Sequence, residues 1–463
     1  EGAFVQEPVP GSYEWVASFD ATSLYPSILM QHNMSPETIV PGFKYEVSVN
    51  DQLDRYKLDK LKEKNYTMAG NGSCYTREKK GYFPEIVQKF FNDRLKYKKL
   101  MQKAQKDFQE TGALHHKNEI SKYNNFQMAR KIQLNSLYGA MANQYFRFYD
   151  DRIAEGITMS GQLVIRDTAK ALDTYMNKVC GTEDEMYSFY SDTDSCYVTC
   201  KTLVENFFPD KDTDKVVGLL DKIATDKIEP AIAQAMTKLG NYTNAFEHKI
   251  DFKREVIADK GVFVAKKRYA LNVLDDEGLR LKEPKLKVMG LEIVRSSTPA
   301  PIRNSLKEAV RLILTSDEKH LQTYIAEAQK QFNTLPVEDI AFPRGCNNLE
   351  KYSSTADIYQ KGTPIHVRGS LLYNKLLKDK ELHLKYEAIQ DGDKIKFLYL
   401  KEPNSLHENT IAFVTKLPKE FDISKYVDYD LIFQKAFTDP LENILKPLGW
   451  NTEPQATLED LFA

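Results

Sequence analysis

Three short stretches of the 463-residue chain carry residues whose type and spacing could handle a phosphorylated substrate. The first is Asp20 in SFDATSLYPSI, a carboxylate that closes an apolar run and opens a tight turn. Such a carboxylate can hold a hard cation while neighbouring backbone amides meet phosphate oxygens; taken alone, it also reads as a solvated acid at a strand end. The second is SDTDS at 191–195, where a sharp turn sets Asp192 beside Asp194. Their repulsion costs stability unless a cation offsets it, and the plain alternative is a surface turn with two solvated acids. The third is Lys131, Asn135 and Tyr138. Helical positions i, i+4 and i+7 share one face, so an ammonium, an amide and an aromatic ring line up to suit a triphosphate, a polar contact and a base or sugar. An amphipathic helix with an exposed lysine is the alternative there.

These groups need elements to position them. Residues 15–20, WVASFD, read as a strand, and Pro26 discourages its continuation. Residues 37–83 are polar, contain glycine and read as loops and short strands. From Pro84 the apolar residues Ile86, Val87, Phe90, Phe91, Leu95 and Leu100 recur at helical spacing. A second helix is expected from about Ile120 to Met141, with a breaker only near Gly112, which makes a hairpin of two long helices. Between 89 and 131 eleven Lys and Arg face four acids, a basic patch hidden inside a chain of formal charge −2. Residues 156–178 and 215–239 read as helices, 186–198 as a β-hairpin with acids at its tip, and 250–294 as sheet with a basic face. After SSTPAP at 296–301 one long helical pattern runs to about 333, and a domain boundary is expected near 295.

Composition narrows the class. Apolar residues make up 42% and charged residues 28%, which is globular rather than disordered. The charge balance excludes a wholly basic nucleic-acid binder but not a basic cleft with an acidic back. No stretch approaches the ~18 apolar residues of a membrane span. EGAFVQEPVP is no signal peptide and, lacking Met, reads as the start of a processed or excised piece. Five cysteines without a CxxC pair read as a reduced intracellular protein with no zinc module.

Taken together, acid, basic helix and acid pair in this order resemble motifs A, B and C of the family B DNA polymerases. Here they are Asp20 to Ile28, Lys131 to Gly139, and Tyr190 to Ser195, followed by a KxY element, Lys267-Arg268-Tyr269. At the front, Glu1-Gly2-Ala3-Phe4-Val5 resembles the family's template-contacting junction with its tyrosine cut off. Asn33 to Ile39, KEPKLKVMGLE at 282–292, SSTP at 296–299 and HVRGSLLYN at 366–374 are similar to the replicative polymerases of T-even-like bacteriophages. The resemblance covers the whole chain but only the polymerase half of such an enzyme. The exonuclease half is missing, so a split gene or a truncation is implied, with a separate exonuclease-domain polypeptide as a candidate partner. Two departures stand out: only 37 residues separate Arg94 from Lys131, which implies short fingers, and Ser191 occupies a motif C position where glycine is usual.

The resemblance implies an α+β right-hand fold with an antiparallel-sheet palm, two-helix fingers and a mostly helical thumb. Palm is expected at 1–80 and 144–290, fingers at 81–143, and thumb at 291–463 with a C-terminal tail that binds a sliding clamp through Leu458, Leu461 and Phe462, a terminal turn docked on its own thumb being the alternative. The implied activity adds dNTPs to a primer 3′-end on a DNA template in an infected bacterium's cytoplasm. Asp20, Asp192, Asp194 and the Ala21 carbonyl are the implied ligands of two Mg²⁺ ions, Asp192 being the weakest candidate. Ser23, Leu24, Arg94, Lys98, Lys131 and Asn135 are expected on the triphosphate, with Lys131 protonating pyrophosphate. Tyr25 is expected under the sugar, where it would clash with a 2′-hydroxyl. Gly2, Ala3, Tyr138, Gly139, Lys267 and Tyr269 are expected on DNA or the nascent base pair. Glu255 reads as an accessory acid near the metals, with a salt bridge as the alternative. Two rivals stay open: an RNA-making or reverse-transcribing palm, against which Tyr25 argues, and a scaffolding half that is inactive without its partner.

Overall fold

The computed structural model describes residues 2–58, 60–354 and 357–454. They form an α+β protein of two units: Glu1–Val9, Tyr13–Asp259 and Val273–Lys285 in the first, and Pro10–Ser12, Lys260–Asn272 and Leu286–Ala463 in the second. No helix among the described residues is long and apolar enough to cross a membrane.

Strand β1 (Gly11–Ala21), which belongs to the first unit from Tyr13 on, buries Val16, Ala17, Ser18 and Phe19 in succession. Burial on both faces explains why WVASF shows no polar alternation. Helix α1 (Leu24–Gln31) follows at once. The strand ends at Ala21, before Pro26 is reached, and Pro26 sits in the first turn of α1, where a missing amide proton costs no intrahelical bond. The stretch to 83 holds strands β2 (Ile39–Lys44), β3 (Tyr66–Met68) and β4 (Ser73–Thr76) in one small sheet, plus a short helix α2 (Val49–Leu53) capped by Ser48 and Asp51.

Two long helices come next, α3 (Tyr82–Thr111) and α4 (Leu114–Met141). Gly112 ends α3 in the left-handed conformation (φ 67°), which a glycine adopts without a Cβ clash. Helix α4 begins six residues earlier than Ile120, because the polar run His115–Glu119 is helical despite lacking apolar periodicity. Burial is confined to a few positions, among them Phe83 and Val87 on α3 and Leu134 and Met141 on α4. Farther along, the pair is joined by Arg130 with Asp93 at 3.1 Å and by Tyr97 against Phe126.

Helix α5 (Asp151–Cys180) is capped by Asp150 and buries Ile153, Ile157, Leu163 and Val164. The hairpin β5 (Ser188–Asp192) and β6 (Ser195–Thr199) turns at Thr193, whose φ is 60°. Helices α6 (Lys201–Phe207), α7 (Thr213–Ile223) and α8 (Glu229–Tyr242) follow, the last two joined by a π-helical turn at Ala224–Ile228. Strands β7 (Phe252–Ala265), β8 (Arg268–Asp276) and β9 (Leu279–Met289) supply residues to both units. The principal sheet has the order β5-β6-β1-β7-β8-β9, with β1 antiparallel to β6 and β6 to β5.

In the second unit the helical pattern after 300 is two helices, α9 (Ala300–Thr315) and α10 (Glu318–Phe332). The single long helix expected there is corrected by Asp317, whose carboxylate accepts from the His320 amide at 2.9 Å and starts a new helix. Helix α11 (Val337–Ile340), strand β10 (Phe342–Gly345), α12 (Leu349–Tyr352), α13 (Ile365–Asp379), β11 (Lys394–Tyr399), β12 (Thr410–Phe413), α14 (Tyr429–Phe433) and α15 (Asp439–Leu445) complete it. Its helices share a core with the antiparallel sheet β10-β11-β12, including Ile313, Leu321, Leu398, Phe413 and Phe437.

Candidate active site

Strand register decides where the first acid meets the second pair. Asp20 pairs with Ser195 across β1 and β6, and the Ala21 amide donates to the Asp194 carbonyl at 2.8 Å. The hairpin tip is closed by its own groups: the Asp194 amide donates to the Asp192 carbonyl at 2.6 Å, and Thr193 Oγ1 donates to Asp192 Oδ1 at 2.9 Å. Tyr190 Oη donates to the other Asp192 oxygen at 3.4 Å. Both oxygens of Asp192 thus have protein donors.

Asp20, Ala21 and Asp194 line a cavity of about 300 Å³ together with Ser23, Leu24, Tyr25, Arg94, Lys131, Asn135 and Tyr138. The one-face reading of α4 therefore matches the geometry: Lys131, Asn135 and Tyr138 share this wall. Burial pushes the Asp194 carboxyl above the ordinary carboxylate range, and the charges of Asp192 and Glu255 push the same way. The Asp194 amide and the Lys131 ammonium pull against them. Burial pushes the Tyr25 phenol up to about 12, with Tyr138, Asp194 and Asp192 adding to it, so the hydroxyl stays protonated.

Arg94 lines the same cavity as the acids and donates to Ser23 Oγ. Burial lowers its pKa, while Asp20 and Glu277 favour its charge. Its Nε is buried without a hydrogen-bond partner, an arrangement that an anion would complete. Ser23 itself is left-handed (φ 53°, ψ 62°) and turns the chain from β1 into α1, whose free first amides make a site suited to anions. Lys98 lies one turn beyond Arg94, on the wall of a second cavity of about 320 Å³. Arg94 and Lys131 line both cavities.

The N-terminal segment runs along the β5–β6 hairpin. Phe4 carbonyl accepts from the Thr193 amide at 3.0 Å, and the Gln6 amide donates to the Ser191 carbonyl at 2.9 Å. Gly2 and Ala3 are exposed there, the Gly2 carbonyl taking a bond from Gln162 at 2.7 Å. Gly139 is exposed on α4. Lys267 and Tyr269 belong to the second unit, where Lys267 is exposed but Tyr269 is buried and stacked on Phe263. Leu458, Leu461 and Phe462 lie outside the described residues. Among the described residues, the set of three metal-type donors within 4.8 Å of one another is His115, His116 and Glu119, at the start of α4; Asp20, Asp192 and Asp194 do not reach that spacing.

The structure adds a residue that sequence reasoning missed. Gly161 on α5 lies under the Tyr25 ring, where a Cβ would come within 3.0 Å of Cε1. Nothing local to α5 signals this, since the contact crosses more than a hundred residues.

Comparison with known proteins agrees with these features. The family model for DNA polymerase family B matches residues 1–207, and that for Divergent Family B DNA polymerase matches 186–334. The chain is 35% identical to the DNA-directed DNA polymerase of Escherichia phage RB69, over 100% of this chain and 56% of that protein. It is 34% identical to the DNA-directed DNA polymerase of Enterobacteria phage T4, over 100% of this chain and 57% of the relative. Similarity to the DNA polymerase delta catalytic subunit of Dictyostelium discoideum is 24% over 98% of this chain and 36% of that protein. The chain belongs to family B of the DNA polymerases. It spans a little over half the length of the phage relatives it matches.

Proposed function

We propose that this chain is a template-directed DNA polymerase that joins a primer 3′-hydroxyl to the α-phosphate of a dNTP and releases pyrophosphate. One observation carries the reading: Asp20 and Asp194, 174 positions apart in sequence, meet at one cavity walled by Arg94 and Lys131. Phosphoryl transfer develops charge on phosphate oxygens, so it needs positioned cations and donors more than a covalent nucleophile.

The donors suit a hard divalent cation such as Mg²⁺, since they are carboxylates and a backbone carbonyl, and like charge around Asp194 is what a cation would offset. Asp20, Asp194 and the Ala21 carbonyl would hold two such ions, with Asp192 in an outer or occasional role because its oxygens are already engaged. When bound, these ions supply acidification of the 3′-hydroxyl and charge neutralisation on the triphosphate. Glu255 would lie close enough to add negative charge without being a ligand.

Arg94, Lys98, Lys131 and Asn135, with the amides of Ser23 and Leu24, bind the triphosphate. Lys131 holds a proton on Nζ and delivers it to the pyrophosphate oxygen as the bond to the α-phosphorus breaks. Tyr25 excludes a 2′-hydroxyl, and Tyr138 with Gly139 lines the nascent base pair. Gly2, Ala3 and Lys267 contact DNA, while Tyr269 is buried and stacked on Phe263. In this reading residues 1–80 and 144–290 are palm, 81–143 fingers and 291–463 thumb. The tail with Leu458, Leu461 and Phe462 binds a sliding clamp, and the enzyme works in the cytoplasm of an infected bacterium.

Primer extension tests the reading. The chain with Mg²⁺, primer-template and dNTPs extends the primer, and Asp194→Ala abolishes it. Absence of extension by the unmodified chain, even with clamp and high Mg²⁺, would leave the scaffold reading in its place.

A further inference from the structure

The turn between β8 and β9 carries a carboxylate for which the chemistry above has no use. Its two central residues, Glu277 (φ 51°) and Gly278 (φ 83°), are both left-handed, as a two-residue hairpin turn of type I′ requires. Asn, Asp or Gly is favoured at the first of these positions, so a glutamate there is held against local preference.

The turn is fixed to the sheet. The Gly278 amide donates to Asp275 Oδ1 at 2.9 Å, and the Glu277 amide donates to the Glu255 carbonyl at 2.6 Å. Asp275 is in turn paired with the buried Arg254. From this fixed post Glu277 commits both carboxylate oxygens to α3. Lys98 Nζ donates to Oε1 at 2.7 Å, and Gln102 Nε2 donates to Oε2 at 2.8 Å. Lys98 and Gln102 are one helical turn apart, so a single carboxylate bridges them. Arg94, one turn back toward the first cavity, also feels the Glu277 charge.

We propose that Glu277 is a built-in anion that occupies the cationic face of α3 until a triphosphate displaces it, and that it thereby sets nucleotide affinity. The inference rests on reading Arg94, Lys98 and Lys131 as the triphosphate grip. An arriving triphosphate must take Lys98 from Glu277, and that exchange frees α3 from the β8–β9 turn. Glu277 is a positioning residue: it acts through Lys98 and touches no reacting atom. The Lys98–Glu277 pair is one-third exposed, so the competition is modest, about two- to fivefold in affinity.

Inorganic tripolyphosphate binding to the full chain, measured by calorimetry, separates the possibilities without needing polymerase turnover. Glu277→Asn creates an Asn-Gly turn that suits the hairpin, so folding is preserved; Glu277→Gln keeps the side-chain length and removes the charge. Both variants are expected to bind tripolyphosphate about two- to fivefold more tightly than the unmodified chain, with no such gain when Lys98→Met is also present. Unchanged or weaker binding in both variants, with Lys98→Met alone still weakening it, would overturn the role of Glu277 and leave the grip intact. If neither Lys98→Met nor Arg94→Ala alters binding, the grip fails and Glu277 loses its role with it. Thermal unfolding of each variant identifies a purely structural effect, which would lower Tm without tightening binding.

Discussion

The Ala21 backbone amide donates to the Asp194 carbonyl across 2.8 Å, so the residue after one acid is tied directly to the other. This bond, with the Asp20–Ser195 register pair, fastens the hairpin turn that carries Asp194 to the end of β1, where Asp20 sits. A turn fastened to a strand in this way holds its geometry better than a free loop.

Tyr25→Ala is expected to relax sugar selectivity. Removing the ring opens space where a 2′-hydroxyl would fall, and dNTP over rNTP preference should drop by about one to two orders of magnitude in kcat/KM. Gly161→Ala should give a smaller loss, because its Cβ meets Tyr25 Cε1 at 3.0 Å and pushes the ring. Single-nucleotide incorporation with matched dNTP and rNTP reads both; unchanged selectivity in Tyr25→Ala would remove the steric role.

Arg254 is a stability prediction. It is buried between Asp275 and Asp221, and Asp275 is itself buried. Arg254→Met leaves Asp275 as an unpaired buried charge and should cost about 3–5 kcal/mol, read as a shift of the urea midpoint. A shift below about 1 kcal/mol would show that the pair has little energetic weight.

His32 predicts a pH dependence. It is fully enclosed, shares a 3.0 Å hydrogen bond with Thr67 Oγ1, and burial lowers its pKa to about 4 from 6.5. Between those values the unfolded chain binds a proton that the folded chain refuses, so stability rises with pH across this window. The contribution is complete above pH 6.5 and is lost as pH falls toward 4, about 3 kcal/mol in all. Other groups titrate nearby, so the readout is the difference between the unmodified chain and His32→Gln in urea unfolding from pH 7 to 5. A difference that does not vary with pH would contradict the assignment.

Deleting residues 457–463 should spare short primer extension and reduce clamp-dependent synthesis. Equal loss in both assays would assign the tail to folding.

Much of this was readable before any coordinates. Asp20, Asp194, Lys131 and Asn135 each have a plain alternative when taken alone and are drawn together only by the resemblance to motifs A, B and C, whereas Gly112 marks the hairpin because helix ends favour a left-handed glycine. What stayed hidden depends on partners distant in sequence. Gly161 reveals its role only when α5 passes beneath Tyr25, and Glu277 only when the β8–β9 turn meets α3. The break at Ser316–Asp317 was hidden for another reason: apolar residues keep helical spacing on both sides, and a single aspartate cap interrupts them. Tyr269 shows a third kind of difficulty, since a motif names a residue type but not which face of its strand is buried.

The most direct test of the central claim is primer extension by four proteins: the unmodified chain, Asp20→Asn, Asp194→Asn and the double variant, with Mg²⁺ and dNTPs. If the two acids act as one unit, each single change lowers kcat by about 10³-fold or more and the double is scarcely worse than either. Extension that survives both single substitutions at near-normal rate, in variants with unchanged Tm, would contradict the assignment of these two carboxylates to the chemistry.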